Sequence, residues 1–314
     1  MRLVIQKLVQ LVLVLLAVTF LTTFLMSLFR GGDDAILASL LGPNFGNPEA
    51  ADAMRERLHL NENVVSRWIL WMGDALRGDF GLSGSSQQPV GAIISSRVSV
   101  SLALVVYAQL IALAIAVPLG VLSAHRQGTL VDRAASTTAF GLLALPSYVV
   151  ALLLILIFPF GFGIFPAVVD DDVGPFDIYQ LFLPALALAL GLVAVYVRLL
   201  RTDMIATLQE DFIGMAKAKG MPTRHILLRH ALRPSSLNLL TTIGLNFGNL
   251  IAGTVVVEVL FNINGLGKTL VFAVAQRDLF LIQGITALVA VVFVIVNFLV
   301  DFTYSALDPR IRRG

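Results

Sequence analysis

The sequence predicts an all-α integral membrane protein with six transmembrane helices. Three observations carry this. Of the 314 residues, 57% are hydrophobic and only 13% are charged, too little charge to solvate the surface of a water-soluble protein of this length. Six stretches of about 20 residues are largely free of Asp, Glu, Lys and Arg, and at about 1.5 Å per residue each can cross a hydrocarbon core of roughly 30 Å. Lys and Arg are also divided unevenly among the segments that connect those stretches. Cysteine is absent, which excludes disulfides, thiolate metal sites and cysteine nucleophiles. There are only four His, so no metal site is expected.

Residues 1–30 hold the N-terminus and the first span. Its core, residues 8–29, carries no charge and follows Arg2 and Lys7. The apolar run exceeds the core of a cleaved signal peptide, and no small-x-small cleavage site follows it, so the span is expected to be retained. Residues 31–97 form an extracytoplasmic region. Residues 31–48 read as loop. Residues 64–76 read as an amphipathic helix with Val65, Trp68, Ile69, Met72 and Leu76 at helical spacing. The two tryptophans, Trp68 and Trp71, lie here; they suit either the membrane interface or core packing.

Residues 98–314 supply five more spans. Residues 98–123 form the second, with Pro118 near its end, and 124–133 a polar turn holding His125, Arg126, Asp132 and Arg133. Residues 134–158 form the third, interrupted by Pro146. The loop at 161–180 carries Asp170, Asp171, Asp172 and Asp177 with no Lys or Arg, and reads as a solvated loop ahead of a cation site. Residues 181–200, 235–260 and 284–304 are the remaining spans, with 261–283 a loop. Arg and Lys number 14 in the segments on the side of the N-terminus and 8 in the longer segments opposite. That bias puts both termini in the cytoplasm.

The same orientation makes residues 204–234 a cytoplasmic loop, and 210–234 is its most patterned part. It contains Lys217, Lys219, Arg224, Arg229 and Arg233. Residues 210–219 read as a short helix with Glu210 and Asp211 first and two lysines last, an order that suits the helix macrodipole. Gly220 is its C-cap, and Pro222 forbids continuation and opens a second short helix toward Arg233. A shaped polar knob at a membrane face is a docking element for a soluble partner.

The fifth span carries Asn238, Asn246 and Asn249 among Gly244, Gly248 and Gly253. Amides in hydrocarbon are costly unless paired or wet. They line a translocation route or they bond between helices, and the sequence supports both. Pro146 and Tyr148 are further path candidates, since a proline in a span frees backbone carbonyls that water or neighbouring helices must satisfy. Glu258 and Asp301 sit near the ends of their spans and are expected to reach the interface, which argues against a proton relay. Residues 262–269 imitate a phosphate-binding loop without its first glycine and outside a strand–loop–helix context, so no nucleotide site is expected. No serine, histidine and carboxylate grouping argues for catalysis. A channel or ion-driven carrier is the alternative class, and it lacks the ionisable pairs at mid-membrane that it would need.

Ala216-Lys-Ala-Lys-Gly220, followed by residues 227–233 (LLRHALR), resembles the cytoplasmic "EAA" loop of ABC importer permeases, most closely the first (B-type) permease of dipeptide/oligopeptide importers. Other matching pieces are RGDFG at 77–81, PLGVL at 118–122 with Asp132-Arg133, LPS at 145–147, Glu258 with Gly265-Leu-Gly267, and LDPR at 307–310. Asn264 and Gly191 stand where that family usually has proline. The resemblance implies a type I ABC importer permease fold in a bacterial or archaeal cytoplasmic (inner) membrane. It implies a second homologous permease, two cytoplasmic ATPases that bind ATP and Mg, an extracytoplasmic substrate-binding protein, and no cofactor or catalysis in this chain. Glu210, Asp211, Gly214, Ala216, Lys217, Ala218, Lys219, Gly220 and Arg224 would couple to the ATPases. Asp79, Gly265 and Gly267 would meet the binding protein. Peptides are the implied substrate, with nickel, glutathione and haem carried by similar permeases.

Overall fold

A computed structural model describes residues 2–28, 32–57 and 60–307. No strand is present among the described residues; an isolated antiparallel bridge pairs Leu82 with Pro89. The helices are α1 (Arg2–Leu28), α2 (Gly32–Leu41), α3 (Pro48–Arg57), α4 (Val64–Ala75), α5 (Val90–His125), α6 (Leu130–Ala144), α7 (Ser147–Ile155), α8 (Ile178–Leu208), α9 (Asp211–Ala218), α10 (Thr223–His225), α11 (Leu232–Leu260), α12 (Leu266–Gln276) and α13 (Leu279–Leu307). Val90–His125, Ile178–Leu208, Thr223–Leu260 and Leu279–Leu299 are each long and apolar enough to cross a membrane. Leu130–Ala144 with Ser147–Phe162 makes a fifth candidate if the bent pair is one span. In α1 the segment Val12–Leu25 is apolar but shorter. The chain divides into two compact units, Met1–Val100 with Asn264–Ile295, and Ser101–Ile263 with Val296–Gly314.

In the first unit the expected loop at 31–48 is instead helical. α2 is followed by a 3-10 turn, Gly42–Gly46, because Leu37 and Leu40 can be buried against Leu60 and Leu279. The expected loop at 261–283 likewise contains α12. Its Leu266 and Ala273 pack with Val90, Ile94, Leu281, Ile282 and Ile285. Gly284 permits that packing, since a Cβ there would lie 2.6 Å from Val90 Cγ1. Asp278 is buried and ties the unit together: Ser83 Oγ and Ser85 Oγ donate to its Oδ2 at 2.5 and 3.0 Å, and Leu281 N to its Oδ1 at 3.3 Å.

α4 starts where Asn63 Oδ1 accepts from Ser66 N at 2.9 Å, an N-cap. Its apolar stripe, suited to either the membrane interface or core packing, is divided between the two kinds of surroundings. Trp68 does turn inward, donating to Thr19 Oγ1 at 3.0 Å and meeting Phe20 edge-on at 5.5 Å between ring centroids. Val65, Ile69 and Leu76 are exposed, while Arg67 and Trp71 are buried. Helical spacing identified the helix; what it packs against came from elsewhere in the chain.

In the second unit the third expected span breaks into two helices bent by 105°. Leu145 (φ −94°, ψ 127°) is extended and Pro146 caps α7. Proline drives the preceding residue out of the helical region and offers no N–H to continue the ladder. Pro118 and Pro184, by contrast, lie inside continuous helices. Gly191 sits within α8 with open space where a Cβ would be. The second knob helix is not short: α10 passes through a π-helical turn, Ile226–Ala231, into α11. The expectation of an interfacial Glu258 is also wrong. Glu258 is fully buried and accepts from Ser101 Oγ at 2.7 Å, so a hydroxyl on α5 replaces the water that an interfacial carboxylate would have. The side chain of Asp301 and residues 308–310 of the LDPR piece lie outside the described residues.

Candidate functional site

The knob is built from α9 and the turn that ends it. Glu210 is extended (φ −69°, ψ 148°) and precedes the helix, with Asp211 in the first turn and Lys217 in the last. Gly220 has φ +74°. Its N–H donates to Lys217 O at 2.9 Å, and Met221 N–H donates to Ala216 O at 3.2 Å. These two bonds form a Schellman motif, which needs a left-handed residue in Gly220's place. Pro222 then caps α10. α9 folds back on the π-helical turn, and Ile213, Ala216, Ile226 and Ala231 are buried. Ser235 Oγ, at the start of α11, donates to Thr207 Oγ1 near the end of α8 at 2.9 Å.

This arrangement divides the expected coupling residues. Asp211, Gly214, Lys217, Ala218, Lys219, Gly220 and Arg224 are on the outside with Glu210. Ala216 is not: it is 6% exposed and positions the helix from within. Sequence reasoning missed the apolar part of the outer face. Phe212 and Met215, three residues apart and hence neighbours on the helix, are 41% and 61% exposed, and Leu228 is exposed as well. Beside them Pro222, Arg224, His225, Leu228 and Arg229 line a concave surface. Two exposed hydrophobes in a charged segment were the available signal.

The first turn of α6 is clasped to α8, whose end leads into the knob. Asp132 accepts from Arg201 Nε and Nη2 at 2.5 and 2.8 Å, from Ser123 Oγ at 2.5 Å and from Gly128 N at 2.8 Å. The carboxylate is nearly inaccessible. A bidentate Arg–carboxylate pair fixes orientation as well as distance. Nothing in the sequence pairs residues 132 and 201, which are neighbours only in space.

The path candidates fall on a more varied set of positions. Asn238 and Asn249 are exposed and Asn246 is half-buried; Asn249 Nδ2 lies 3.5 Å from Asn246 Oδ1. Tyr196, fully buried on α8, donates its hydroxyl to Gln109 Oε1 on α5 at 3.2 Å. Asn246 lies alongside that hydroxyl. Gln109 Nε2 and Asn246 Nδ2 are buried without a hydrogen-bond partner among the described residues. Pro146 and Tyr148 are both exposed, at the bend between α6 and α7. Among the binding-protein candidates Asp79 is exposed and accepts from Gly81 N at 2.9 Å. Gly265 and Gly267 are buried at the start of α12, where they shape the helix entry and present no surface of their own. Asn264, beside them, accepts from Arg97 Nη1 through its carbonyl and from Lys268 Nζ through its side chain.

Several apolar helices long enough to cross a membrane, with a capped polar knob between two of them, define a multi-pass membrane permease. The chain belongs to the family of binding-protein-dependent transport system inner membrane components, whose pattern matches residues 116–313; it is thus an ABC transporter permease. It is 33% identical over 313 residues to the probable peptide ABC transporter permease protein y4tP of Sinorhizobium fredii, covering 98% of each chain. It is also 33% identical over 304 residues to the oligopeptide transport system permease protein AppB of Bacillus subtilis, covering 95% of each. The fold is similar to a chain of the MetNI methionine ABC transporter, solved in inward-facing conformations. That likeness has a TM-score of 0.57 at 15% identity and covers 69% of this chain and 96% of the other.

Proposed function

We propose that this chain is the B-type permease of an ATP-driven importer of short peptides. It crosses the membrane six times with both termini in the cytoplasm, pairs with a second permease, and receives substrate from an extracytoplasmic binding protein. It binds no ATP; two cytoplasmic ATPases hold ATP and Mg and engage α9. The peptide substrate rests on the names of the curated relatives. The coupling role rests on one observation above all: α9 exposes Phe212 and Met215 on a helix that its Schellman turn and buried Ile213 and Ala216 hold in one position. Apolar side chains presented on a rigid polar mount suit a cleft in a soluble partner. ATP-driven motion of that partner, transmitted through α9 to α8 and α11, would switch the spans between two states by rigid-body movement.

The test is a four-part reconstitution with loaded binding protein. Met215→Asp should leave the thermal stability of the permease unchanged and abolish both retention of the ATPases and stimulated ATP hydrolysis. Ala216→Asp buries an unpaired charge and should lower stability as well, by about 1–3 kcal/mol or more. Wild-type hydrolysis and uptake of peptide with Met215→Asp would reduce α9 to a connector.

A further inference from the structure

The first unit holds a cavity of about 530 Å³, within the size range of small-ligand sites. Two of the side chains lining it are out of place in a hydrophobic interior. Arg67 is 8% exposed and Trp71 is 7% exposed. Trp71 Nε1 is buried with no hydrogen-bond partner among the described residues. An indole N–H can only donate, and leaving it unsatisfied costs about 1–3 kcal/mol. A guanidinium offers five N–H donors in a planar fork matched to a carboxylate, so it can serve more than one acceptor. Both side chains come from one turn of α4, four residues apart, and so share a face. The same cavity is also lined by Asp74 and Asp79, and these two carboxylates are exposed. Its apolar walls include Leu40, Leu82 and Phe280.

The lining therefore combines buried donors and a cation with exposed carboxylates and hydrocarbon; Asp74 lies on the same stripe of α4 as Arg67 and Trp71 and also meets Arg77 Nη1 at 3.5 Å. A ligand that meets all three carries a carboxylate, an ammonium group and apolar side chains. We propose that this cavity binds a short peptide with a free C-terminus, its carboxylate taken by Arg67 and Trp71 Nε1 and its α-ammonium by Asp74 and Asp79. The proposal takes its ligand class from the peptide-import reading, and it adds a peptide site in the permease itself, outside the span that carries the asparagines. Under the proposed topology residues 67–79 lie on the side from which substrate arrives.

The chain has two tryptophans, which gives a direct readout. Trp68→Phe leaves Trp71 as the lone indole. That full-length variant, in nanodiscs and without the binding protein, is titrated with alanyl-phenylalanine, its C-terminal amide and its N-acetyl form. The free dipeptide should change Trp71 fluorescence saturably. The amide should bind at least about ten-fold more weakly, as should the free dipeptide to the protein carrying Arg67→Gln as well. Should Arg67→Gln fail to fold, Asp74→Asn, on the exposed rim, decides: it should weaken the free dipeptide and leave the N-acetyl form unchanged. No saturable change up to about 10 mM, or equal binding of dipeptide and amide, overturns the site. Uptake of alanyl-phenylalanine by the complete transporter, measured in parallel, separates the two readings. Uptake without a Trp71 response removes the site and keeps the import function. A Trp71 response without uptake does the reverse.

Discussion

Phe212 and Met215 stand exposed on α9, in the most charged stretch of the second unit, whereas Gln109, Tyr196 and Asn246 are drawn in from the surface of helices made mostly of hydrocarbon. Each group departs from the composition around it, in opposite directions. The first places apolar area where water is the expected neighbour; the second places amides and a phenol where hydrocarbon is. Packing explains neither, because Ile213 and Ala216 already seat α9 and because Gln109 Nε2 and Asn246 Nδ2 gain no bond from being buried. The two regions differ in what would complete them. Among the described residues α9 lacks an apolar partner surface, and Gln109 Nε2 and Asn246 Nδ2 lack acceptors. A coupling element and a path wall should differ in that way.

The clasp of Asp132 and Arg201 sharpens the contrast, since it is a buried polar group that the chain satisfies by itself. Arg201→Met leaves a buried carboxylate with only Ser123 and Gly128 to answer it. Breaking a buried pair from one side costs about 3–5 kcal/mol, and Arg201 is partly exposed, so about 3 kcal/mol is expected. Thermal unfolding of the purified permease measures it. The double variant Arg201→Met with Asp132→Asn should recover part of the loss, because the uncompensated charge is gone. An unchanged melting temperature in the single variant would mean that the clasp is no more than a surface pair.

The next effect is smaller and confined to α9. A Cβ on Gly220 would meet nothing within 4 Å, so a substitution there is penalised by backbone conformation alone. A left-handed residue other than glycine costs about 1–2 kcal/mol, least for asparagine and most for a β-branched side chain. Gly220→Val should tilt or fray α9 and reduce stimulated ATP hydrolysis several-fold, with insertion and yield unchanged. Gly220→Asn should retain most of the activity. Equal activity of the two would show that the angle at which α9 leaves its turn does not matter to coupling.

Local signals in the sequence were enough for α9 but not for its surroundings. Glu210, Asp211, Lys217, Gly220 and Pro222 mark a helix start, a charge order and a stop, each decided within a few residues. The break at Pro146 is equally local. The packing direction of α4 is not: Arg67 and Trp71 are buried because of what α1 and the segments around Leu279 bring to them, while the spacing of Val65, Ile69 and Leu76 left both lipid and core open for that stripe. Glu258 was read from its distance to the span end, whereas its environment is set by Ser101, 157 residues away in sequence. The exposed pair Phe212 and Met215 was hidden by its charged neighbours, which made the whole stretch read as polar.

The smallest expected effect on stability bears on the amides. Asn246→Leu removes an Nδ2 with no partner among the described residues and an Oδ1 that Asn249 Nδ2 reaches only at 3.5 Å, and puts a side chain of similar size in its place. Replacing an unsatisfied buried polar group by an apolar one of like shape is close to neutral or slightly stabilising. Thermal stability and assembly with the second permease should therefore stay within about 0.5 kcal/mol of wild type, while Tyr196 keeps its bond to Gln109. If Asn246 turns its amide to the route, uptake per assembled complex should fall several-fold, because a passing peptide loses a donor for its backbone carbonyls. ATP hydrolysis should remain stimulated by loaded binding protein, since α9 is untouched. Measuring uptake and hydrolysis on the same reconstituted vesicles separates passage from coupling. A loss of thermal stability, with uptake falling only in proportion to assembled protein, would instead make Asn246 an interhelical bond and remove it from the path.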